Sequence, residues 1–495
     1  MKRIIFLFFF GFVCLMTESG CSSVIDSHTQ KTKMLNAYVT NKNAAVLDIV
    51  NDKLKEPKWY NSSRVNTGDE LMWRLESGSI NFHIRDYKTS IRQFDIAERL
   101  IYGYDERARI SLRDTGAEVG SAVTNPNAIP YRGYARDRIA LSMYKSLAYL
   151  GAGDENAFRA QLKRMRQEQK YVQEEYRSLF EEEDNKLKAS QSMVQAPTVS
   201  DLASNRSNSE FAKSMNEVKT IAHEGYKDFL NPAALWLSAI GSMRDGNYDN
   251  ARIDFAHLCE AMPNQPVMRQ YYVAALKGAG RSPDSVSGNI KPFSFPIDHD
   301  CLFVLFANGR SGAFRQITLS FPVFTAWPVC EFYPTAFSSL WVVGDGVRYT
   351  TSPLANMDGI MAREYQEHLP GMIARIVVST MIKEGLFHAG IAAAAISPMS
   401  STARVLAISA IAVGGTIYRD VFNTADTRSW ELLPKEFQLT QMPMPKNRQV
   451  TFGLNGGSVQ NTTINLPKDC KSAILFVEAP SSGNVMYHVL PFYTK

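Results

Sequence analysis

Asp298-His299-Asp300-Cys301 is a run of four potential metal ligands, and carboxylate, imidazole and thiolate together could hold a zinc-type ion. Neighbouring residues of an extended strand point to opposite faces, so the four cannot close on one ion. His223-Glu224 opens like a zinc-protease helix but has no second His one turn later. Gly453 to Ser458 is glycine-rich yet lacks the lysine and the following helix that a phosphate cradle requires. Gly309-Arg310-Ser311-Gly312 is a turn between two strands, not a nucleophile elbow. No catalytic residue, metal site or cofactor is therefore expected, and the aromatic residues from Phe293 to Trp341 are expected in the core. Asp426 and Arg428 form one further pair. Trp430 and Leu433 beside them call for burial, so the pair reads as an ion pair or hydrogen-bond lock between a helical insert and a sheet.

A different chemistry is written at Cys21. Lys2 and Arg3 precede the apolar run Ile4 to Met16, followed by Thr17-Glu18-Ser19-Gly20-Cys21-Ser22-Ser23, which is the order of a secretory signal peptide. The run is too short for a spanning helix, which needs ~20 residues. Ser19-Gly20-Cys21 resembles the lipobox of bacterial lipoproteins, in which small residues admit the peptidase before a diacylated cysteine; Glu18 stands where an aliphatic residue is usual. The resemblance implies a signal peptide over 1–20, lipid on Cys21, a tether over 21–30 and, from Ser22, sorting to the outer membrane. Acyl chains anchor by burying CH₂ groups, so the rest of the chain can be soluble. The alternatives are an incidental cysteine behind an ordinary signal peptide, or an uncleaved anchor. Cys259, Cys301, Cys330 and Cys470 then remain, and either one bridge late in the chain or buried free thiols is open, with three possible pairings.

The elements that must position these residues fall into two unlike halves. At 495 residues the chain is long enough for two or three domains, and a net charge of +5 is too small over that length to mark a nucleic-acid binder. Residues 21–296 carry 37 basic and 34 acidic side chains, whereas 297–495 carry 15 and 14. The pattern predicts a multidomain α then α+β protein. A helical domain spans 31–280, a Pro/Gly/Ser-rich linker 281–296, and a strand-rich domain 297–495 with a helical insert at 357–420.

The helical half reads as paired helices. Ala234-Leu235-Trp236 opens one, Asp245 to Tyr248 turns, and Ala251, Phe255 and Pro263 match the A-x₃-F…P signature of a tetratricopeptide unit. Ala251 is small where helices cross, Phe255 fills the gap one turn later, and Pro263 ends the pair. A second match places Gly78 in a first helix, a turn at Asp86-Tyr87, and Phe94 and Ala97 in a second helix, with Ser90 for the usual Ala. A third pair turns at Gly153-Asp154. No constant period links them, so the array is degenerate, or an ordinary helical bundle. From Ala157 to Lys188 a narrow apolar stripe predicts a coiled-coil-like arm of ~45 Å. Residues 189–209 are expected to be a mobile connection.

In the second half, Cys301–Ala307, Arg315–Phe321, Leu340–Tyr349, Arg448–Leu454, Ser472–Glu478 and Val485–Phe492 read as strands. Met361, Tyr365, His368, Met372, Ile376 and Met381 trace one face of a long helix. Leu386–Ile396 and Val405–Ile417 are apolar runs too short to span a bilayer, to be packed on the sheet or, alternatively, to touch the membrane.

Together these residues resemble a family of bacterial envelope lipoproteins with a tetratricopeptide-like front half. The matching stretches are Asn66 to Ile101, Tyr131-Arg132-Gly133-Tyr134 with Asp137-Arg138 and Tyr144 to Gly151, Arg375 with Lys383, and Ala425-Asp426-Thr427-Arg428-Ser429-Trp430 with Leu433-Pro434. The long 159–230 segment departs from the pattern. The resemblance implies an exported, membrane-tethered interaction scaffold with an envelope protein as partner, and it supplies no reaction. An enzyme acting on cell wall or glycan from the second half, and a membrane-inserting component using 386–418, are the rival expectations.

Overall fold

Strand β1 (Cys301–Asn308) is buried at every position. An uninterrupted apolar strand requires cover on both faces, and each face of β1 supplies a different core. In the computed structural model, which describes residues 29–54, 68–111, 130–176, 178, 198–282, 290–321, 323–373, 425–457 and 460–494, β1 is the middle strand of a five-stranded mixed sheet. Its order is β11 (Asn484–Phe492), β10 (Ser472–Ser481), β1, β7 (Glu436–Pro443), β6 (Ser352–Asn356). β1 runs parallel to β10, with Leu302 opposite Ala473, and antiparallel to β7.

Leu302, Val304 and Phe306 face a second, four-stranded sheet of order β5 (Val347–Thr350), β4 (Ser339–Gly344), β8 (Gln449–Asn455), β9 (Thr462–Asn465), meeting Leu340, Val342, Phe452 and Ile464. Cys301, Phe303 and Leu305 point the other way, into a core shared with the helices. The result is three layers, helices on sheet on sheet. A separate hairpin, β2 (Ala313–Phe321) and β3 (Val323–Glu331), packs with the helix over 357–373 in a third core.

The helical layer contains α1 (29–39), α2 (Asn43–Leu54), α3 (Glu70–His83), α4 (Tyr87–Ser111), α5 (Ala135–Gly151), α6 (Glu155–Tyr171), α9 (Pro232–Arg244), α10 (Tyr248–Ala261) and α11 (Pro266–Gly278), whereas α7 (Val199–Ser204) and α8 (Ser209–Ala222) pack in the third core with the hairpin and with 357–373, α12. The paired helices fall where the turn residues predict. Asn231 and Asn247 cap α9 and α10 by accepting backbone N–H groups, and Asp154 caps α6. The first helix of each pair faces the sheet. Phe82 of α3 and Tyr144 of α5 contact Phe476, and Trp236 of α9 contacts Phe303. These inner helices are buried almost all round: only Glu70 and Arg74 of α3, Tyr149 and Gly151 of α5, and Ser242 of α9 are not. The inner side of the array is thus filled by the chain's own sheet, so helices and sheet fold around one common core.

Several expectations change. The stretch Leu340–Tyr349 is not one strand but the hairpin β4–β5, because Asp345 and Gly346 both take positive φ and form a two-residue turn. β3, β6, β7 and β9 are additional to the expected strands; β3 is interrupted by Pro328, β6 by Pro353, and β9 is only four residues long. The described part of the expected arm, 157–176, does not project. Phe158, Leu162, Met165 and Val172 are buried, and Leu162 occupies the space a side chain on Gly241 would need. Within 189–209, residues 198–209 hold α7 and a 3₁₀ turn, tied down by Asn205 and Asn208 donating to the Ser320 carbonyl. The linker's described end is packed as well, with Phe293 5.0 Å from the Tyr271 ring. Residues 1–28, including Cys21, and 374–424, including the two apolar runs, lie outside the described residues.

Candidate functional site: a polar seam between helices and sheet

Residues 425–433 run between the inner helices and the sheet, and their polar groups are taken up by α1, α3 and α5, by the Gly68-Asp69 stretch, by β2 and by the segment itself. Arg428 is held at both ends. Its Nε and Nη2 donate to the Asp426 carboxylate at 2.9 and 2.7 Å, and its Nη1 donates to the Gly68 carbonyl and to Asp69 at 3.0 and 3.3 Å, just before α3. Burial works against the Arg428 charge, but the carboxylates of Asp426 and Asp69 outweigh it and raise its pKa above the ordinary arginine value. Trp430 is fully buried beside Phe94 and Tyr144 and donates its indole N–H to Ser79 Oγ at 2.9 Å. The next two backbone N–H groups, of Glu431 and Leu432, donate to the Glu76 carboxylate at 2.8 and 3.1 Å. Burial raises Glu76 to about 8. Glu431 pairs with Lys31 of α1, whose ammonium also donates to the Thr427 carbonyl at 3.2 Å.

The seam continues from this segment. Arg136, buried in α5, donates to Ser311 Oγ at 2.8 Å and to the carbonyls of Gly312 and Trp430. Asp358 accepts from the Gly312 N–H at 2.6 Å and pairs with Lys435. Glu364 of α12 accepts the Ala135 and Arg136 N–H groups, closing the orphan donors at the start of α5.

A second cluster closes the other end. Glu478 of β10, fully buried, contacts His83 Nδ1 at 3.0 Å and His488 Nε2 at 3.2 Å; His488 Nδ1 in turn meets Tyr87 Oη at 2.9 Å, and His83 Nε2 meets Asn484 at 3.2 Å. Burial alone would raise Glu478, but the hydrogen bonds from His488 and His83 hold it down near 2. Burial also lowers His488, more than Glu478 raises it.

The residues singled out by sequence are distributed as follows. Asp426, Arg428 and Trp430 lie together in the seam. Gly78 and Phe94 meet within it: a Cβ on Gly78 would fall 2.3 Å from the Phe94 ring, and Ser90 Oγ donates to the Gly78 carbonyl at 2.8 Å. Ala97 is buried in the same hairpin. Ala251 and Phe255 sit in the core of the last pair, Phe255 stacked on Tyr271 at 5.2 Å, and Pro263 follows the end of α10 at an exposed turn. The Asp298-His299-Asp300-Cys301 run is not the extended strand expected: residues 297–300 form bends with Asp300 at positive φ, Asp298 accepts from Tyr248 Oη and contacts His299 Nδ1, and only Cys301 enters β1, where it is buried. Cys259, Cys301, Cys330 and Cys470 are free thiols. Among the described residues no group of three or more His, Cys, Asp or Glu is placed to hold an ion.

Glu76, Lys31, Arg136, Asp358, Lys435 and the Glu478–His cluster were not visible in sequence, since most of their partners lie hundreds of residues away. Chemically, the seam is a set of mutually satisfied donors and acceptors, which fixes geometry without presenting a reactive group. The surface clefts at Lys219, His223 and Arg363 and at Tyr248, Phe293 and Phe295 each carry one carboxylate, Glu367 and Asp298 respectively. Comparison with protein-family models, with curated proteins and with solved structures finds no match.

Proposed function

We propose that the protein is a lipid-anchored scaffold of the bacterial envelope, tethered through Cys21 to the outer membrane on its periplasmic side and holding another envelope protein. The observation that carries this reading is the order of basic head, apolar run, Ser19-Gly20-Cys21 and Ser22 at the start of the chain. Close packing of Gly78 on Phe94, with Ala251 and Phe255 in the core, is the kind of contact a tetratricopeptide-like array uses, and it supports that finer reading. With the inner helices covered by the sheet, the partner surface falls to the outer helices α4, α6 and α10, where Tyr102 is 49% and Ile253 44% exposed. Most glycoside hydrolases use two converging carboxylates, and the seam's Glu76, Asp358 and Glu364 instead accept backbone N–H groups.

Two variants test the reading. Cys21→Ala should release the protein from membranes washed with carbonate; unchanged membrane association would contradict the tether. Tyr102→Gln with Ile253→Glu should abolish capture of the partner from membrane extracts while leaving thermal unfolding nearly unchanged. Retained capture would contradict the outer-helix surface.

A further inference from the structure

The four strands of the second sheet, VRYT, SLWVVG, QVTFGLN and TTIN, hold a single charged side chain, Arg348, and no carboxylate. Along β4 buried and half-exposed positions alternate, so Leu340 and Val342 enter the core while Ser339, Trp341 and Val343 stand on the side away from it. Residues directly opposite in a ladder share a face, which places Thr350 and Gly453 beside Trp341, and Arg348 and Thr451 beside Val343. Thr463 and Asn465 of β9 extend the same face, opposite Thr451 and Gln449. Arg348, Thr350, Gln449, Thr463 and Asn465 are exposed.

Trp341 does not stand up from this face. A Cβ on Gly453 would fall 2.4 Å from its indole, so the ring lies across β8 where glycine leaves room, and the Asn461 side chain reaches the same spot. The Arg348 guanidinium lies over the ring, 4.3 Å from its centroid. Its Nη2 is 3.5 Å from Asn455 Oδ1, and it has no carboxylate partner among the described residues. A guanidinium stacked on an aromatic ring is pre-organised and keeps in-plane donors for a carboxylate. Around the stack, hydroxyls and amides pair across strands: Thr451 with Thr463 at 2.8 Å, Gln449 Nε2 with Asn465 Oδ1 at 3.2 Å, and Asn455 Nδ2 with Ser339 Oγ at 2.7 Å. Each pair uses one donor, and the remaining lone pairs and amide protons are left for a ligand.

From this geometry we infer that the outer face of the four-stranded sheet binds a carboxylate-bearing polysaccharide, with a sugar ring packed against the Trp341–Arg348 stack, its carboxylate on Arg348, and neighbouring hydroxyls on the amide and hydroxyl ladder of β8 and β9. A pyranose ring presents an apolar C–H side and a belt of hydroxyls that both donate and accept, and amide and hydroxyl side chains match both roles. Protein interfaces instead gather several apolar anchors at their centre, whereas the outward positions of these strands carry Trp341 and Val343 alone. Charge decides between neutral and acidic glycans: one cation without a carboxylate on its face calls for a ligand that brings the anion. The inference holds whether or not Cys21 carries lipid.

The test uses the full-length protein in detergent, with polygalacturonate as the probe, its carboxyl-reduced polymer as the uncharged control and dextran sulfate as the control for charge alone. Titration should show binding of polygalacturonate that Arg348→Gln and Trp341→Ala each weaken about tenfold, and the carboxyl-reduced polymer should bind more weakly by a similar factor. Thermal unfolding of both variants is followed alongside; if Trp341→Ala fails to fold, Arg348→Gln, at an exposed position, decides. No binding of polygalacturonate, or binding that Arg348→Gln leaves unchanged, would overturn the inference. So would dextran sulfate binding as tightly as polygalacturonate with no loss in a folded Trp341→Ala, since that is charge attraction without a sugar site.

Discussion

Glu76 accepts the Glu431 N–H at 2.8 Å although the two residues lie 355 positions apart. The carboxylate sits inside the seam, and burial moves it from an ordinary 4.5 to about 8. The folded state therefore keeps a proton that the unfolded chain releases. Its contribution to stability is complete below pH 4.5 and is lost as pH rises through 8. Thermal unfolding at pH 5 and pH 8.5 should show a fall that Glu76→Gln, which cannot titrate, largely removes. Parallel profiles for the two proteins would contradict this.

Glu478 and His488 act in the opposite direction. Glu478 is held near 2, so the stability it provides is present above 4.5 and fades as pH falls toward 2. His488 is lowered from 6.5, so its contribution is present above that value and declines on acidification. Glu478→Gln should cost about 3 kcal/mol at pH 7, because it breaks a buried charged cluster, and should flatten the acid limb of the unfolding profile. Urea unfolding across pH 3 to 7 measures both.

Arg428 is shared between Asp426 and Asp69. Arg428→Ala takes the cation from Asp426 and Asp69 while the Gly68 carbonyl keeps the Tyr131 N–H, with an expected loss of about 2 kcal/mol in urea unfolding. Arg428→Lys should recover little of it, since an ammonium cannot span three acceptors as a planar fork does. In a double-mutant cycle Arg428→Ala and Asp69→Ala should couple by about 1 kcal/mol; simple additivity would mean the contact contributes nothing.

Gly78 and Phe94 make a steric pair. Gly78→Ala puts a methyl group into the Phe94 ring and should destabilise by about 1–3 kcal/mol. Phe94→Leu alone should also destabilise, but the double variant should be more stable than the sum of the two losses implies. Full additivity would place the cost of Gly78→Ala elsewhere.

The sequence made the helix pairs legible because turn residues such as Asp86, Gly153-Asp154 and Asp245-Gly246 punctuate strong apolar periodicity. It also singled out Asp426, Arg428 and Trp430, but as a lock between a helical insert and a sheet, whereas Arg428 ties the segment to Gly68 and Asp69 before α3. What it could not reveal were contacts made only at long range. Glu76 looks like an ordinary helical acid until Glu431 arrives, and His83 and Glu478 are separated by 395 residues. β7, EFQLTQMP, alternates polar and apolar residues only from Glu436 to Thr440, and pairing with β1 carries its extended form over the remaining residues. The apolar stripe of 157–176 was visible, but a stripe does not say whether it meets another chain or, as here, the Gly241 face of α9.

The tether at Cys21 is the claim on which the functional account turns, and mass spectrometry of the N-terminal peptide of the membrane-extracted protein measures it directly. The account predicts a mature chain that begins at Cys21 and carries a diacylglyceryl group on its sulfur. A chain beginning at any other residue, or a Cys21 with a free thiol, would contradict it.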